Sequence, residues 1–290
     1  MKHQGYHSSG GKGTALAAVG VDVGATLAKL ATRRAGEAPR FALVESHALD
    51  RVARAVREAA PGRIGLTGGG SAELARLLGG EVARVNEFAA WGSGASALLE
   101  REGLPRGERH LLVSVGTGTS VMLVDGLSVT RIGGTALGGG TVVGLGSRLA
   151  GTKSFGEIAE LATRGSRSRV DLRVSDIYRA GEIALAGDLT AASFGRLGRD
   201  ASDGVEPRPE DLAHALMGLV GENVALICGG LAAAAQVQRI VFGGSTLREN
   251  PALVEVLREI TTALGREPTF LCDGEFAGSL GALLLASEGD

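Results

Sequence analysis

The sequence predicts an α/β protein of two lobes, each built on a mixed sheet flanked by helices. Three observations carry the prediction. Apolar runs of strand length alternate with helical runs almost from end to end. The ribbon VGVDVGATLAKLATR of the first half returns in the second as LLVSVGTGTSVMLVDG, again a strand, a turn of glycine and hydroxyl residues, and a strand. Between the halves lies a polar connection, EREGLPRGERH, at 100–110, with the composition of a lobe boundary.

Taken in order, residues 1–14 (MKHQGYHSSGGKGT) read as a polar, poorly ordered leader without the apolar core of a signal peptide. SGGKGT has the look of a phosphate-binding P-loop, but no strand precedes it and Gly13 follows Lys12 where that loop needs a hydroxyl. LAAVGVDVG and TLAKLATR flank a glycine-marked turn and form a hairpin. RIGLTGGG (63–70) is a strand and turn. A helix then begins near Ser71, whose side chain can accept from the first-turn amides, and ends at Gly79 and Gly80. In RVNEFAAWGS an acidic residue, Glu87, precedes an apolar helix.

After the second ribbon comes RIGGTALGGGTVVGLG (131–146), with glycine at seven of sixteen positions. A solvated linker would carry serine or charge where this run has Ile132, Leu137, Val142, Val143 and Leu145. It therefore reads as a turn opening a helix, with bare backbone where a ligand or another segment comes close. Helices near 154–164 and 209–236, a strand at 238–245, a helix over 250–264, the strand PTFLCDG and a small-residue helix at 276–287 complete the chain. The lobes are placed at 15–109 and 110–290, with the last helix packing back on the first.

With 290 residues, 44% of them hydrophobic, the chain can bury a substantial core. Its 30 basic and 32 acidic residues leave a net charge of −2, which offers no footprint for nucleic acid or an anionic membrane surface. Cys228 and Cys272 form no metal-binding or disulfide pattern, which suits a reducing cytoplasm. The stretch LMGLVGENVALICGGLAAAA (216–235) approaches membrane length, but Glu222 and Asn223 near its middle make it a buried core helix.

Four junctions combine glycine with hydroxyl or carboxylate groups: Asp22 to Thr26 including Gly24; Gly116, Thr117, Gly118, Thr119 and Ser120; Gly138, Gly139, Gly140 and Thr141; and Gly243, Gly244, Ser245 and Thr246. Any one of them has a purely steric explanation. Four together suit a polyphosphate, because clustered N–H groups and short hydroxyls donate hydrogen bonds without bulk. A nucleotide held between two lobes accounts for all four.

The DVGAT and SVGTGTS hairpins and the DGEFAGSLGALL segment resemble the two-lobed acetate and sugar kinase, Hsp70 and actin superfamily. Within it, RIGGTALGGGTVVGLGSRLAG, NEFAAWGSGASALL, DLRVSDIY and GDLTAASFG are similar to type II pantothenate kinases. The resemblance runs from Val19 to Leu285. It implies an actin-like ATPase fold with ribonuclease H-like sheets. It further implies ATP- and Mg2+-dependent phosphorylation of pantothenate to 4′-phosphopantothenate, the start of coenzyme A synthesis, by a homodimer that uses helix 209–236 as its interface. On this resemblance Glu87 is the general base, Arg131 contacts pantothenate, Asp22 holds magnesium through water, and the glycine and threonine turns take the phosphates. Lys29 is either a phosphate contact or a solvated strand lysine. Thr269 and Phe270 stand where bacterial relatives have tyrosines that help enclose pantothenate across the dimer, which removes a hydroxyl. His214 reads as a satisfied core or interface histidine, and GDLTAASFG (187–195) receives no mechanical role.

Two other functions fit the lobes: an amino-sugar kinase of the same superfamily, and a non-catalytic nucleotide sensor. The sensor has no need of a base facing an acceptor pocket.

Overall fold

The computed structural model describes residues 17–105, 107–179, 181–182, 189–198 and 206–288; the leader at 1–14 lies outside them. Strands β1 (Ala17–Val23) and β2 (Leu27–Arg33) form the first hairpin, and β3 (Arg40–Glu45) pairs antiparallel with β2. Helix α1 (Leu49–Glu58), β4 (Pro61–Thr67), α2 (Ser71–Leu78) and β5 (Ala83–Arg84) follow. They place β4 and β5 parallel on the other side of β1, giving the order β3-β2-β1-β4-β5. Helix α3 (Glu87–Arg101) leads out of this unit.

The second sheet repeats the first. Strands β6 (His110–Val115), β7 (Thr119–Asp125) and β8 (Ser128–Thr135) are successive antiparallel neighbours. Helices α4 (Gly139–Leu149) and α5 (Phe155–Arg164), the small ribbon β9 (Leu172–Arg173) and β10 (Thr190–Ala192), and α6 (Pro209–Ala235) come next. Then β11 (Arg239–Gly243), α7 (Pro251–Ala263) and β12 (Glu267–Phe270) extend the sheet in parallel, and α8 (Ala277–Ser287) closes the chain. The order β12-β11-β6-β7-β8 mirrors the first sheet strand for strand. The duplicated ribbon seen in sequence is thus part of a duplicated five-stranded sheet.

Three apolar cores make five layers. Val19, Val21 and Val23 of β1 pack with Val52 and Val56 of α1 and Leu74 of α2. Leu111, Val113, Ile240 and Phe242 pack against α5, α6 and α7 on the outer face of the second sheet. Between the sheets lie Trp91, Leu98 and Leu99 of α3 with Leu280 and Leu283 of α8, touching Ala31 on one side and Leu112, Met122 and Val241 on the other. Small residues let this middle layer form: a methyl at Gly281 would strike the Ala90 carbonyl of α3, and one at Gly94 the Ala277 carbonyl of α8.

Helix α6 is 27 residues long and apolar enough to cross a membrane by length and composition, yet most of it is buried inside this protein. Its Glu222 pairs with Arg167 and accepts from the Thr190 hydroxyl at 2.8 Å. Thr190 belongs to GDLTAASFG, whose Phe194 N–H donates to the buried Asp171 at 2.8 Å. The described part of that motif therefore pins the β9/β10 ribbon to α6. His214 sits satisfied, with Nδ1 2.8 Å from the Gly165 carbonyl.

Two local expectations are corrected. Gly70, not Ser71, occupies the cap of α2, and no side chain caps it. A methyl at Gly70 would strike Val23, so the turn tolerates only glycine there. The glycine-rich run also opens as the end of a strand, β8, before turning into α4.

Candidate active site

The turns of the two hairpins meet: the hydroxyls of Thr26 and Thr117 lie 3.1 Å apart, although 91 residues separate them. Beneath them is a cleft of about 360 Å³. One wall comes from the first hairpin (Asp22, Gly24, Thr26, Lys29) and one from the second (Gly116, Thr117, Gly118, Thr119). Glu87, Arg131 and Ser245 enter from three further elements.

Asp22 and Lys29 are cross-strand partners on β1 and β2, both buried, with Lys29 Nζ 3.6 Å from Asp22 Oδ2. Lys29 is therefore a buried residue of the cleft rather than a solvated one. Gly24 leaves room for that ammonium, since a methyl there would come within 2.9 Å of Nζ. The Asp22 carboxylate lies over the first turn of α8, where Gly278 has no side chain to displace it.

Glu87 is the first residue of α3. The cap itself is Asn86, whose side chain accepts from the Phe88 and Ala89 amides at 3.0 and 3.1 Å. Glu87 is thus spared the capping role and faces the cleft, with Trp91 one turn along on the same face. Its carboxyl is held above the ordinary glutamate range, first by burial and next by the Asp22 carboxylate, against the opposing pull of Lys29.

Arg131 reaches the cleft through a bulge. Met122 pairs with Arg131 and Val121 with Gly133, so Ile132 is the extra residue of β8. In regular pairing Arg131 would share the face of Gly133, whose missing side chain is filled by Leu231 of α6. The bulge moves it to the face of Met122, because one inserted residue exchanges the two faces of a strand. Among the described residues its guanidinium has no hydrogen bond or ion pair.

A second hollow of about 380 Å³ adjoins the first and shares Thr26, Leu27, Thr117 and Ser245 with it. Its remaining walls are Gly139, Gly140, Val143, Gly144, Phe155 and Thr246. The start of α4 is pressed onto the second hairpin: Gly139 N–H donates to Gly116 O at 2.8 Å and Gly140 N–H to Thr117 O at 2.9 Å. Gly138 lies behind this contact, where a methyl would meet the Gly116 and Thr117 carbonyls at 2.7 and 2.8 Å. Thr141 also stays off both walls, with its hydroxyl directed to the Ala136 carbonyl. The opening glycines of the helix therefore serve the approach of another protein segment as well as an open wall.

Gly243 and Gly244, expected at the nucleotide, line instead a third hollow of about 260 Å³ and neither the cleft nor the hollow beside it. Gly244 has φ +113°, and a side chain there would strike Val115. Phe270 lines that third hollow, stacked on Phe242 with centroids 5.1 Å apart and covered by Arg258. It forms no part of the cleft wall in its own chain. Sequence reasoning missed Ser114, the cross-strand partner of Ser120 in the cleft wall, and Thr135 beside them. The available signal was a lone serine in the apolar strand HLLVSV, two residues before the glycine turn.

Paired five-stranded sheets with a cleft beneath their two hairpin turns define an actin-like α/β fold. Similar chains include component A of the (R)-2-hydroxyglutaryl-CoA dehydratase of Acidaminococcus fermentans, with TM-score 0.64 and 20% identity over 94% of this chain and 98% of that one. A ROK family glucokinase of Streptomyces griseus in complex with glucose and AMPPNP gives TM-score 0.58 and 14% identity, over 94% and 100% of the two chains. Those likenesses identify the fold. The Fumble family matches residues 40–285. A type II pantothenate kinase of Oceanobacillus iheyensis is 36% identical over 268 residues, 92% of this chain and 98% of the relative. The chain belongs to the Fumble family, and the resemblance read from its motifs is borne out.

Proposed function

We propose that this protein is a pantothenate kinase, transferring the terminal phosphoryl group of ATP to the primary hydroxyl of pantothenate. The carrying observation is convergence: Glu87 at a helix start, Arg131 on a bulged strand and both hairpin turns share one cleft, beside an apolar hollow bounded by the start of α4.

The apolar hollow suits the base of the nucleotide, and the shared rim at Thr26, Thr117 and Ser245 suits its phosphates. The acceptor hydroxyl then lies toward Glu87, whose carboxylate takes the proton as the new bond to phosphorus forms. A Glu87 with a raised pKa is a better proton acceptor than an ordinary glutamate. Arg131, a charged fork without an internal partner, can hold the acceptor or the moving phosphoryl group bidentately. Lys29 adds positive charge from the cleft floor.

Asp22 fits a hard cation. It is an oxygen donor 4% exposed, its carboxylate lines the cleft, and Lys29 is its one ion-pair partner among the described residues. Mg2+ bound there, directly or through water, would supply charge neutralisation to the phosphates. A homodimer is part of this reading: Leu226, Gly230, Ala233 and Ala234 form an exposed apolar stripe on α6 that a second copy can cover.

The test is ADP release by purified protein with ATP, magnesium and a panel of pantothenate, pantetheine and amino sugars. Pantothenate is expected to be turned over and amino sugars not; the reverse pattern overturns the proposal.

A further inference from the structure

The hollow that suits the base is bounded by groups already bonded to one another. Donors in protein walls are normally paired, and here the pairing is internal. The amides of Gly139 and Gly140 are committed to the Gly116 and Thr117 carbonyls. Val143 and Gly144 lie inside α4, where each N–H bonds four residues back. Thr246 donates its amide to Val115 O at 3.1 Å and its hydroxyl to Gly116 O at 2.8 Å. The hydroxyls of Thr26 and Thr117 face each other. What the hollow presents to a flat ring is the apolar surface of Leu27, Val143 and Phe155.

One hydroxyl of the lining has no partner among the described residues, that of Ser245. It borders both hollows, so it stands where the base chamber meets the phosphate cleft, at the sugar and phosphate end of a nucleotide. Those parts are common to every nucleoside triphosphate. A chamber built this way reads the size and flatness of a base and not the donor and acceptor pattern along its edge.

We infer that the protein takes purine nucleoside triphosphates as a class, so that GTP and ITP serve as phosphoryl donors beside ATP. The inference rests on the phosphoryl-transfer reading above. Apolar pockets discriminate poorly between ligands of similar size and shape that differ in polar substituents, by about 10²-fold for a single hydroxyl, whereas sites built to hydrogen-bond a group reach about 10⁴–10⁵. Pyrimidine nucleotides cover less of the Val143 and Phe155 wall and bind more weakly.

The experiment has two arms. In the first, a fluorescent ADP analogue is displaced from the purified protein by ADP, GDP, IDP and CDP without pantothenate. The expected result is dissociation constants for ADP, GDP and IDP within about 10²-fold of each other, with CDP weaker, and a Ser245→Ala variant that weakens all four by a common factor. GDP binding more than about 10³-fold weaker than ADP overturns the inference. In the second arm, initial rates are measured with pantothenate and each triphosphate. Even displacement without phosphorylation of pantothenate removes the kinase reading and leaves the tolerant chamber standing. Turnover with ATP alone, with GDP binding poorly, does the opposite. Failure of every nucleotide to displace the probe removes both.

Discussion

Replacing Glu87 by glutamine tests the mechanism most directly. The change is close to isosteric, and Asn86 rather than Glu87 holds the α3 cap, so the fold and the nucleotide site should survive. What is lost is the proton acceptor. General-base catalysis contributes about 10²–10⁴-fold, or about 2.7–5.5 kcal/mol of transition-state stabilisation, so kcat should fall within that range while thermal stabilisation by ATP persists.

The pH profile gives an independent reading. Catalysis needs the ionised carboxylate, and a raised pKa means that protonation sets in at a higher pH than for an ordinary glutamate. The acid limb of kcat/KM should therefore lie above the usual carboxylate range. Lys29 is the one cause pulling the Glu87 pKa down; Lys29→Met should move that limb still higher. The assay is coupled ADP release at subsaturating pantothenate across the acid and neutral range. Unchanged kcat in Glu87→Gln, or an acid limb that moves to lower pH in Lys29→Met, refutes the reasoning.

Arg131→Lys keeps the charge but not the fork and should lower kcat/KM for pantothenate at least about tenfold; near-normal kinetics would make Arg131 a bystander. Asp211, fully buried at the start of α6, is pulled toward higher pKa by burial but more strongly downward, to about 2, by hydrogen bonds from the Ser166 amide, Arg208 and Arg169. A depressed carboxylate contributes stability above its unfolded pKa and loses it as the pH falls through the folded one. Asp211→Asn should thus cost on the order of 2 kcal/mol at neutral pH. Urea unfolding should show that difference shrinking as the pH drops from about 4 towards about 2, and a gap constant with pH would exclude the assignment. Leu226→Glu on the exposed stripe of α6 should yield monomers in sedimentation if that stripe is the homodimer face, with the melting temperature little changed.

The parts legible in sequence were those set by local chemistry. Both hairpins announce themselves through short apolar runs around glycine turns, and the start of α3 through the acidic Glu87 before an apolar run. Strand β3 and helix α1 were not foreseen, because α1 has no side-chain cap and β3 is a half-exposed edge strand with little apolar contrast. The direction of Arg131 was unreadable for a different reason. It depends on the bulge at Ile132, which exists only in relation to the facing strand β7. Gly138 and Thr141 belong to the same motif as Gly139 and Gly140, but packing of the second hairpin on the helix start leaves only the latter pair on a chamber wall. Spacing identifies such a loop and cannot say which of its residues face outward.

The middle layer explains why so much glycine is spent far from any ligand. Helix α8 touches the first sheet through Gly20 and Gly65 and meets α3 through Gly94 and Gly281, so both helices run between the sheets with their starts beside the cleft. Asp22 lies over the start of α8 and Glu87 opens α3, two carboxylates at two positive helix ends. A helix start favours the charged form of a carboxylate by about 0.3–1 kcal/mol, yet Glu87 is shifted the other way, so enclosure and the Asp22 charge outweigh it. That balance depends on how closely α3 and α8 approach. Gly281→Ala forces the pair apart, for an expected cost of about 1–3 kcal/mol in stability. It should also admit water near Glu87, returning the acid limb of activity toward the ordinary glutamate range. A variant that lost stability but kept the wild-type pH profile would uncouple the helix contact from the tuning of the base.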